Sequence, residues 1–294
     1  MLVMDYYMQK RHLIWKDAKP KHLTEVEGRI AKFAYYMPDV TIEELHSMHL
    51  DTFFERLQAD RPINPKTGEK KPPLKGASLN RYVSALKILQ KYALRNKAST
   101  QGLLDYQGNK EHARERHFTI EEMDRIEHMC DSNGYPSYIK AMCRIARFTG
   151  MRHSEIVTLN DPQRARVTFK KGLVTIHLLK TKNGDKRFVS IVDFHARKAV
   201  ELMMDGGCEL YCEKTFYRKW KEIRAVVSDK DDTEFVFHVY RHTVATNLAN
   251  KLGKNIYDMG KWLGHRSPET TAKYHHQDED AVNQTAAELV TAMS

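Results

Sequence analysis

The sequence predicts a mostly α, two-domain protein with a small antiparallel β-sheet in the second domain. Three observations carry this reading. Apolar residues recur at alternating three- and four-residue spacing through most of the chain; one stretch, 165–192, switches to a period of two; and a polar, aperiodic segment, 97–116, separates two patterned regions. At 294 residues, with 41% hydrophobic and 29% charged residues, the chain has room for two domains of about 100–150 residues each. The composition is globular, and it excludes a disordered tail protein, a collagen-like chain and a disulfide-stapled miniprotein.

Residues 1–20 read as a basic leader (Lys10, Arg11, Lys16, Lys19), and residues 21–96 as a four-helix domain. Leu23, Val26, Ile30, Phe33 and Met37 form one apolar stripe, with Thr24 as N-cap and Glu27 completing a capping box. Thr41 and Glu44 stand in the same relation and open a second helix with Leu45 and Met48; a third carries Phe53, Phe54 and Leu57. Residues 61–76 then break the pattern with Pro62, Pro65, Pro72, Pro73, Gly68 and Gly76 among four lysines, a basic loop. The fourth helix starts near Ser78 and carries Leu79, Val83, Leu86, Leu89 and Ala93.

After the 97–116 linker, the second domain spans 117–278. Helices are expected at about 119–130 (capped by Thr119), 135–149 and 153–159, then 194–204, 214–227, 239–251 and 255–263. Between them, Val167 and Phe169, then Val174, Ile176 and Leu178, then Phe188, Val189 and Ile191 mark three strands, with Asn183-Gly184 turning the last two. Residues 279–294 form a tail in which Ala281, Val282, Ala286, Leu289, Val290 and Met293 make a small amphipathic helix, docked on its own domain or exchanged between subunits.

The formal charge is +10, and it is uneven: residues 1–116 hold 21 basic and 14 acidic residues, residues 117–294 hold 27 and 24. A basic N-terminal portion points to a polyanion, most commonly nucleic acid. Lys70, Lys71, Lys75 and Arg81 in the first domain, with Lys180 and Lys186 in the second, are the candidate contacts. No apolar run approaches the ~18 residues of a membrane span, and Met1–Lys10 lacks the layout of a secretory signal. Four cysteines (Cys130, Cys143, Cys208, Cys212) in a chain of this size read as reduced thiols, so a cytoplasmic setting is expected.

Four clusters carry chemistry. In Thr149-Gly150-Met151-Arg152-His153-Ser154-Glu155, Gly150 reads as a helix C-cap, and an arginine directly after such a turn is placed to offer its fork to a phosphate. Lys180 to Arg187 make a hairpin tip crowded with cations, which alone would merely protect a sheet edge. His238, Arg241 and His242 share a helix face, suited to an anion whose protons move near neutral pH. Last come Leu263-Gly264-His265 and, nine residues on, Tyr274, which alone would read as a packed aromatic.

In this order, Gly-x-Arg-x-x-Glu, the lysine hairpin, His-x-x-Arg-His-Thr, Leu-Gly-His and the downstream tyrosine resemble the tyrosine recombinase (phage integrase) family. The resemblance covers 117–278, and the preceding helical unit is similar to that family's core-binding domain. It implies an α+β catalytic domain in which Arg152, Lys182, His238, Arg241, His265 and Tyr274 are catalytic. Glu155 and His242 match supporting positions, and Lys180 is the alternative to Lys182. With only about 20 residues ahead of the helical domain, the layout resembles the two-domain, Xer-type members, without the arm-binding domain of many phage integrases. Ser190 stands where the family often has proline.

The implied function is site-specific DNA recombination through a 3′-phosphotyrosyl intermediate, without ATP, metal or other cofactor. Tyr274 would attack, His238 would take its proton and Lys182 would protonate the departing 5′-oxygen, while Arg152, Arg241 and His265 hold the phosphate. The partner is double-stranded DNA with specific sites. The family works as a tetramer on two sites, which leaves room for an accessory DNA-bending protein, and the two domains would close on the duplex as a clamp. Alternatives are a type IB topoisomerase-like enzyme, a non-catalytic DNA-binding protein on the same scaffold, and a zinc module built from Cys208, Cys212, His238 and His242, whose pair spacing is long beside the ~12 residues of a finger.

Overall fold

The computed structural model describes residues 1–65, 67–99, 101–108, 116–180, 186–229, 232–265 and 267–272. The chain divides into two compact units, Met1–His112 and Ala113–Ser294. The Asn183-Gly184 turn, Lys182, Tyr274 and the 279–294 tail lie outside the described residues. Among the described residues no helix is long and apolar enough to cross a membrane.

The first unit holds four helices: α1 (Val3–Ile14), α2 (Pro20–Tyr36), α3 (Ser47–Ala59) and α4 (Gly76–Arg95). The count matches the expectation, but the membership differs. The stretch read as a leader contains α1, whose Val3, Tyr6 and Tyr7 are buried, with Tyr7 edge-on to Trp15 at 5.6 Å. Tyrosine and tryptophan at these spacings escape an aliphatic periodicity count, and five flanking cations disguise them further.

Residues 41–46 are not helical. Leu2 bridges to Thr41, Val3 donates to the Val40 carbonyl at 3.2 Å, and Ile42 donates to the Met1 carbonyl at 2.8 Å. That pairing holds the backbone extended, so the Thr41–Glu44 side-chain contact at 2.8 Å braces a turn. Helix α3 starts later, behind His46, whose Nδ1 accepts from the Met48 N–H at 3.2 Å while its own N–H donates to His49 Nδ1 at 3.3 Å. Thr24 likewise lies inside α2, its hydroxyl donating to the Pro20 carbonyl. Proline at the first helical position needs no N–H partner, so the helix opens there.

The predicted α2 stripe is the core: Val26, Ile30 and Phe33 pack with Phe53 of α3 (Phe33–Phe53 rings 5.2 Å apart) and Leu86 and Leu89 of α4. The linker begins later than expected. Leu104 is buried in this core, and Tyr106 packs against it. Leu104 is held by Gln90 of α4, a fully buried amide that donates to the carbonyls of Leu45 (2.7 Å) and Gly102 (3.1 Å) and accepts the Leu104 N–H (2.7 Å). One side chain thereby replaces the regular partners of three backbone groups.

The second unit packs α5 (Ile120–Ser132), α6 (Ser137–Thr149), α7 (His153–Ile156), the strands β1 (Ala165–Lys170), β2 (Leu173–Leu178) and β3 (Arg187–Ile191), α8 (Phe194–Leu202), α9 (Cys208–Leu210), α10 (Glu213–Val227), α11 (Val239–Thr246), α12 (Ile256–Leu263) and α13 (Pro268–Ala272). The predicted capping box of α5 is present: Thr119 Oγ1 accepts the Glu122 N–H at 3.1 Å, and Glu122 accepts the Thr119 N–H at 2.9 Å. The sheet is antiparallel in the order β1-β2-β3. Val174, Ile176 and Leu178 of β2 with Val189 and Ile191 of β3 face the core, whereas Phe188 and Phe169 face solvent. Helix α6 runs through the middle, with Ile139, Met142, Cys143, Ile145 and Ala146 all buried against the sheet and its neighbours. All four cysteines are unbonded thiols.

Replacing Gln90 by Leu leaves the buried Leu45 carbonyl and the buried Leu104 N–H unpaired, so it should destabilise the first unit by about 2–3 kcal/mol, read as a lower urea midpoint at unchanged slope.

Candidate active site

The site is assembled by tight turns that only glycine permits. Helix α6 ends at Gly150, in the left-handed region at φ 63°. A Cβ there would stand 3.1 Å from Leu263 Cδ2 and 3.2 Å from Val244 Cβ, so the backbone turns hard against α11 and α12. Two residues on, Arg152 precedes α7 in an extended conformation. Its N–H donates to Glu155 Oε2 at 2.8 Å, and its guanidinium NH1 donates to Glu155 Oε1 at 2.8 Å. Glu155 thus satisfies the helix N-terminus and aims the arginine at once. The arginine is mostly enclosed, not the solvated charge that its surroundings in sequence would allow.

Glu155 has a second cation. Arg187, the first residue of β3, donates from NH2 to Glu155 Oε2 at 2.6 Å and from NH1 to the Trp262 carbonyl. Burial alone would raise the Glu155 carboxyl, but Arg187 and then Arg152 outweigh it and hold the group below the usual carboxylate range. The hairpin was expected to display its cations to solvent. Lys180 and Lys186 do, but Arg187 is buried. A signal was available: in a period of two, Arg187 falls on the same face as Val189 and Ile191.

Arg241, on α11, is 2% exposed. It donates from NH1 to the Gly150 carbonyl at 2.9 Å and from NH2 to the Leu263 carbonyl. The turn carrying Arg152 and the turn carrying His265 are therefore bonded to one guanidinium. Helix α11 is locked from its other side by the buried Tyr240 and by Thr243, whose Oγ1 accepts the Phe118 N–H at 2.8 Å. His238, at the start of α11, is exposed, and its ring meets that of His242 edge-on at 5.2 Å. So the expected trio divides by burial: His238 is exposed, His242 half-buried and Arg241 buried.

Helix α12 ends at Gly264, again left-handed at φ 67°. A Cβ there would stand 2.6 Å from Arg187 Cδ. His265 follows, its N–H donated to the Gly260 carbonyl at 2.9 Å and its Nδ1 2.9 Å from the hydroxyl of the fully buried Thr271. Burial, then Arg241, Arg152, Arg187 and His238, push its pKa down to about 3. Burial, together with the surrounding cations, favours the neutral ring. In the tautomer in which the Thr271 hydroxyl donates to Nδ1, Nε2 carries the proton and is a hydrogen-bond donor. It borders an open cleft lined also by Lys186, Tyr257, Lys261 and Pro268.

Arg152, Arg241, His265 and His238 are thus brought together, with Glu155 supporting. Lys182 and Tyr274 lie outside the described residues. Among the DNA-contact candidates, Lys70, Lys71, Lys75 and Arg81 are all exposed, with Lys70 Nζ also donating to the Ala59 carbonyl at 3.3 Å. Among the described residues, no three His, Cys, Asp or Glu side chains gather as metal ligands, and Cys208 donates to the Ile156 carbonyl. Sequence reading missed Arg187, Thr271 and the three accepting carbonyls, the last because any residue offers a carbonyl. What the arrangement offers chemically is two permanent cations and a neutral donor around one place, a seat for a tetrahedral oxyanion.

Two outcomes follow. In the DNA-free protein the His265 ring signal should stay still between pH 5 and 8 by NMR. Because its folded pKa lies below the unfolded value of about 6.5, its contribution to stability is complete above that pH and fades as pH falls towards 3. Gly264→Ala should cost about 2 kcal/mol or more, from left-handed strain plus the clash with Arg187, measured as a lowered melting temperature together with a shifted His265 signal.

Comparison with known proteins places this geometry. The model of the phage integrase family matches residues 116–281. The chain is 27% identical over 146 residues to tyrosine recombinase XerA of Saccharolobus solfataricus, covering 47% of this chain and 45% of that protein. It is 28% identical over 172 residues to transposase B from transposon Tn554 of Staphylococcus aureus, covering 48% and 25%. The matches thus span less than half the length of these curated relatives. In three dimensions it is similar to XerH site-specific recombinase bound to difH substrate (TM-score 0.65, 20% identity, 92% of this chain and 80% of that one). It is also similar to the Tn1549 transposon integrase in complex with circular intermediate DNA (0.70, 17%, 97% and 99%) and to a lambda integrase dimer bound to a COC′ core site (0.68, 15%, 94% and 96%). The fold expected from the sequence, mostly α with a three-stranded antiparallel sheet in an α+β catalytic unit, is the fold of these proteins. The turns, the paired guanidiniums and the match across the second unit agree: this chain belongs to the phage integrase family of tyrosine recombinases.

Proposed function

We propose that the chain is a site-specific DNA recombinase that cuts and rejoins strands by transesterification on Tyr274. The observation that carries this is the convergence of Arg152, Arg241 and a neutral His265 on one place, with His238 beside it. A phosphodiester repels nucleophiles, and attack adds charge to a five-coordinate phosphorane. Preorganised donors answer that charge, each worth about 3–4 kcal/mol in the transition state.

The phenolic oxygen of Tyr274 attacks phosphorus while His238 takes its proton. A free phenol has a pKa of about 10 and needs such a base. The P–O5′ bond breaks, Lys182 gives its proton to the leaving 5′-oxygen, and a 3′-phosphotyrosyl link remains. The 5′-hydroxyl of another strand then reverses the sequence. One phosphoester replaces another, so no ATP is consumed. Tyr274, Lys182 and the proton-transfer roles enter from the resemblance to the family.

The partner is duplex DNA. XerH, the Tn1549 integrase and lambda integrase are each described bound to DNA, and the first unit carries the larger share of the excess positive charge. Lys70, Lys71, Lys75 and Arg81 are exposed there, as are Lys91 and Arg95 farther along α4. Phosphate contacts of this kind make affinity fall steeply with salt. We further propose the core-binding and catalytic division of labour between the two units, assembly as a tetramer on paired sites with room for an accessory DNA-bending protein, and action in the cytoplasm.

The test is covalent capture from a randomised duplex library, followed by sequencing of the DNA left on the protein. Wild type should yield adducts in the presence of EDTA. Tyr274→Phe should yield none while retaining library DNA on filters within about twofold of wild type, since one hydroxyl carries little of a phosphate-dominated affinity. Equal adduct from Tyr274→Phe would remove the nucleophile. Relaxation of supercoils without strand exchange on a two-site plasmid would make the protein a topoisomerase instead.

A further inference from the structure

Arg187 has no place in the reaction just described, yet it is buried beside the site, its side chain only 3% exposed. Its guanidinium reaches two acceptors on separate elements: Glu155 on α7, at 2.6 Å, and the carbonyl of Trp262 near the end of α12. Its stem fills the space beneath the Gly264 turn, where even a Cβ would approach Cδ to 2.6 Å and Nε to 2.9 Å. Its Nε has no hydrogen-bond partner among the described residues.

An unpaired N–H in a dry interior is costly, and an apolar pair of similar volume would fill the same space without that cost. What the charged fork supplies is direction. Glu155 spends Oε1 on the Arg152 guanidinium and shares Oε2 between the Arg152 backbone N–H and Arg187. Take Arg187 away and the carboxylate has Arg152 as its remaining cation, drawing that guanidinium inward, off the phosphate. The turn before His265 loses its floor at the same time. Arg241 ties the same two segments through Gly150 and Leu263, so the two arginines act as opposed braces, one facing the reaction and one behind it.

We propose that Arg187 is a positioning residue: by joining Glu155 to the Trp262 carbonyl, it sets the Arg152 guanidinium and the His265 turn at a fixed separation. This rests on the recombinase reading of the site. A lysine would keep the charge but donate from a point, so it would hold one acceptor and not the planar pair.

The experiment compares full-length wild type, Arg187→Lys and Arg187→Met by three measurements. These are thermal melting, the order parameter of the Arg152 Nε–H in the DNA-free protein by NMR, and the single-turnover rate of covalent linkage to the randomised duplex library at saturating concentration. The expected result is a graded loss of rate, roughly tenfold for lysine and roughly a hundredfold for methionine, the size that small misplacement of a catalytic group produces. DNA retention should stay within about twofold, and the Arg152 order parameter should fall in step with the rate. If methionine fails to fold, the lysine variant decides. An Arg152 as ordered in Arg187→Lys as in wild type, or linkage at the wild-type rate, overturns the assignment. Should wild type form no adduct at all, the recombinase reading fails, while the Arg152 order parameter still tells whether Arg187 positions it.

Discussion

Glu155 is an anion almost without water, and the second unit is arranged around keeping it charged. Two guanidiniums from elements distant in sequence, α7 and β3, share its oxygens, and a backbone N–H takes the remaining direction. None of these groups could be buried alone; a lone carboxylate or guanidinium in a dry interior would neutralise or drag in solvent. Because each needs the others, strand β3, the α6–α7 turn and the α12 terminus must arrive together. In the proposed recombinase site the placement of Arg152 follows from that mutual requirement, since its bond to Glu155 fixes where its guanidinium stands.

The same economy explains the two left-handed glycines. Gly150 and Gly264 each end a helix, and each presents a bare α-carbon to a neighbouring segment. The carbonyls around them, of Gly150, Trp262 and Leu263, are the ones that arginines 187 and 241 collect. Helix termini leave carbonyls without partners, and here buried guanidiniums supply them. Capping the helices and building the anion site are one structural act.

Much of this was legible in the sequence. Glycine followed two residues later by arginine and three after that by glutamate announces a turn with a carboxylate reaching back, and the leucine-glycine-histidine run announces the other. Helix stripes such as Val26, Ile30 and Phe33 are legible because burial selects one face. What stayed hidden shares a cause. Helix α1 packs with tyrosines, whose polar tips disguise a core role. Residues 41–46 obey the capping rule locally but lose to pairing with the chain's first residues, a contact forty positions away that no local pattern records. Arg187 was grouped with the lysines beside it because charge suggests exposure; only its alternation with Val189 and Ile191 says otherwise. Leu104 was assigned to the linker because its partner, Gln90, is a polar residue inside an apolar stripe.

The suppressed basicity of His265 has a bearing on how the protein releases what it binds. Its proton affinity is low because the ring is buried and because Arg241, Arg152, Arg187 and His238 stand around it. In the proposed reaction an arriving phosphodiester would bring negative charge to these cations, and the more highly charged phosphorane would bring more, which favours a proton on the imidazole. Net charge in the cavity would then track its contents. A cavity that adjusts in this way grips the fleeting species harder than the ester on either side of it, which suits a reaction whose starting and finishing bonds are chemically alike.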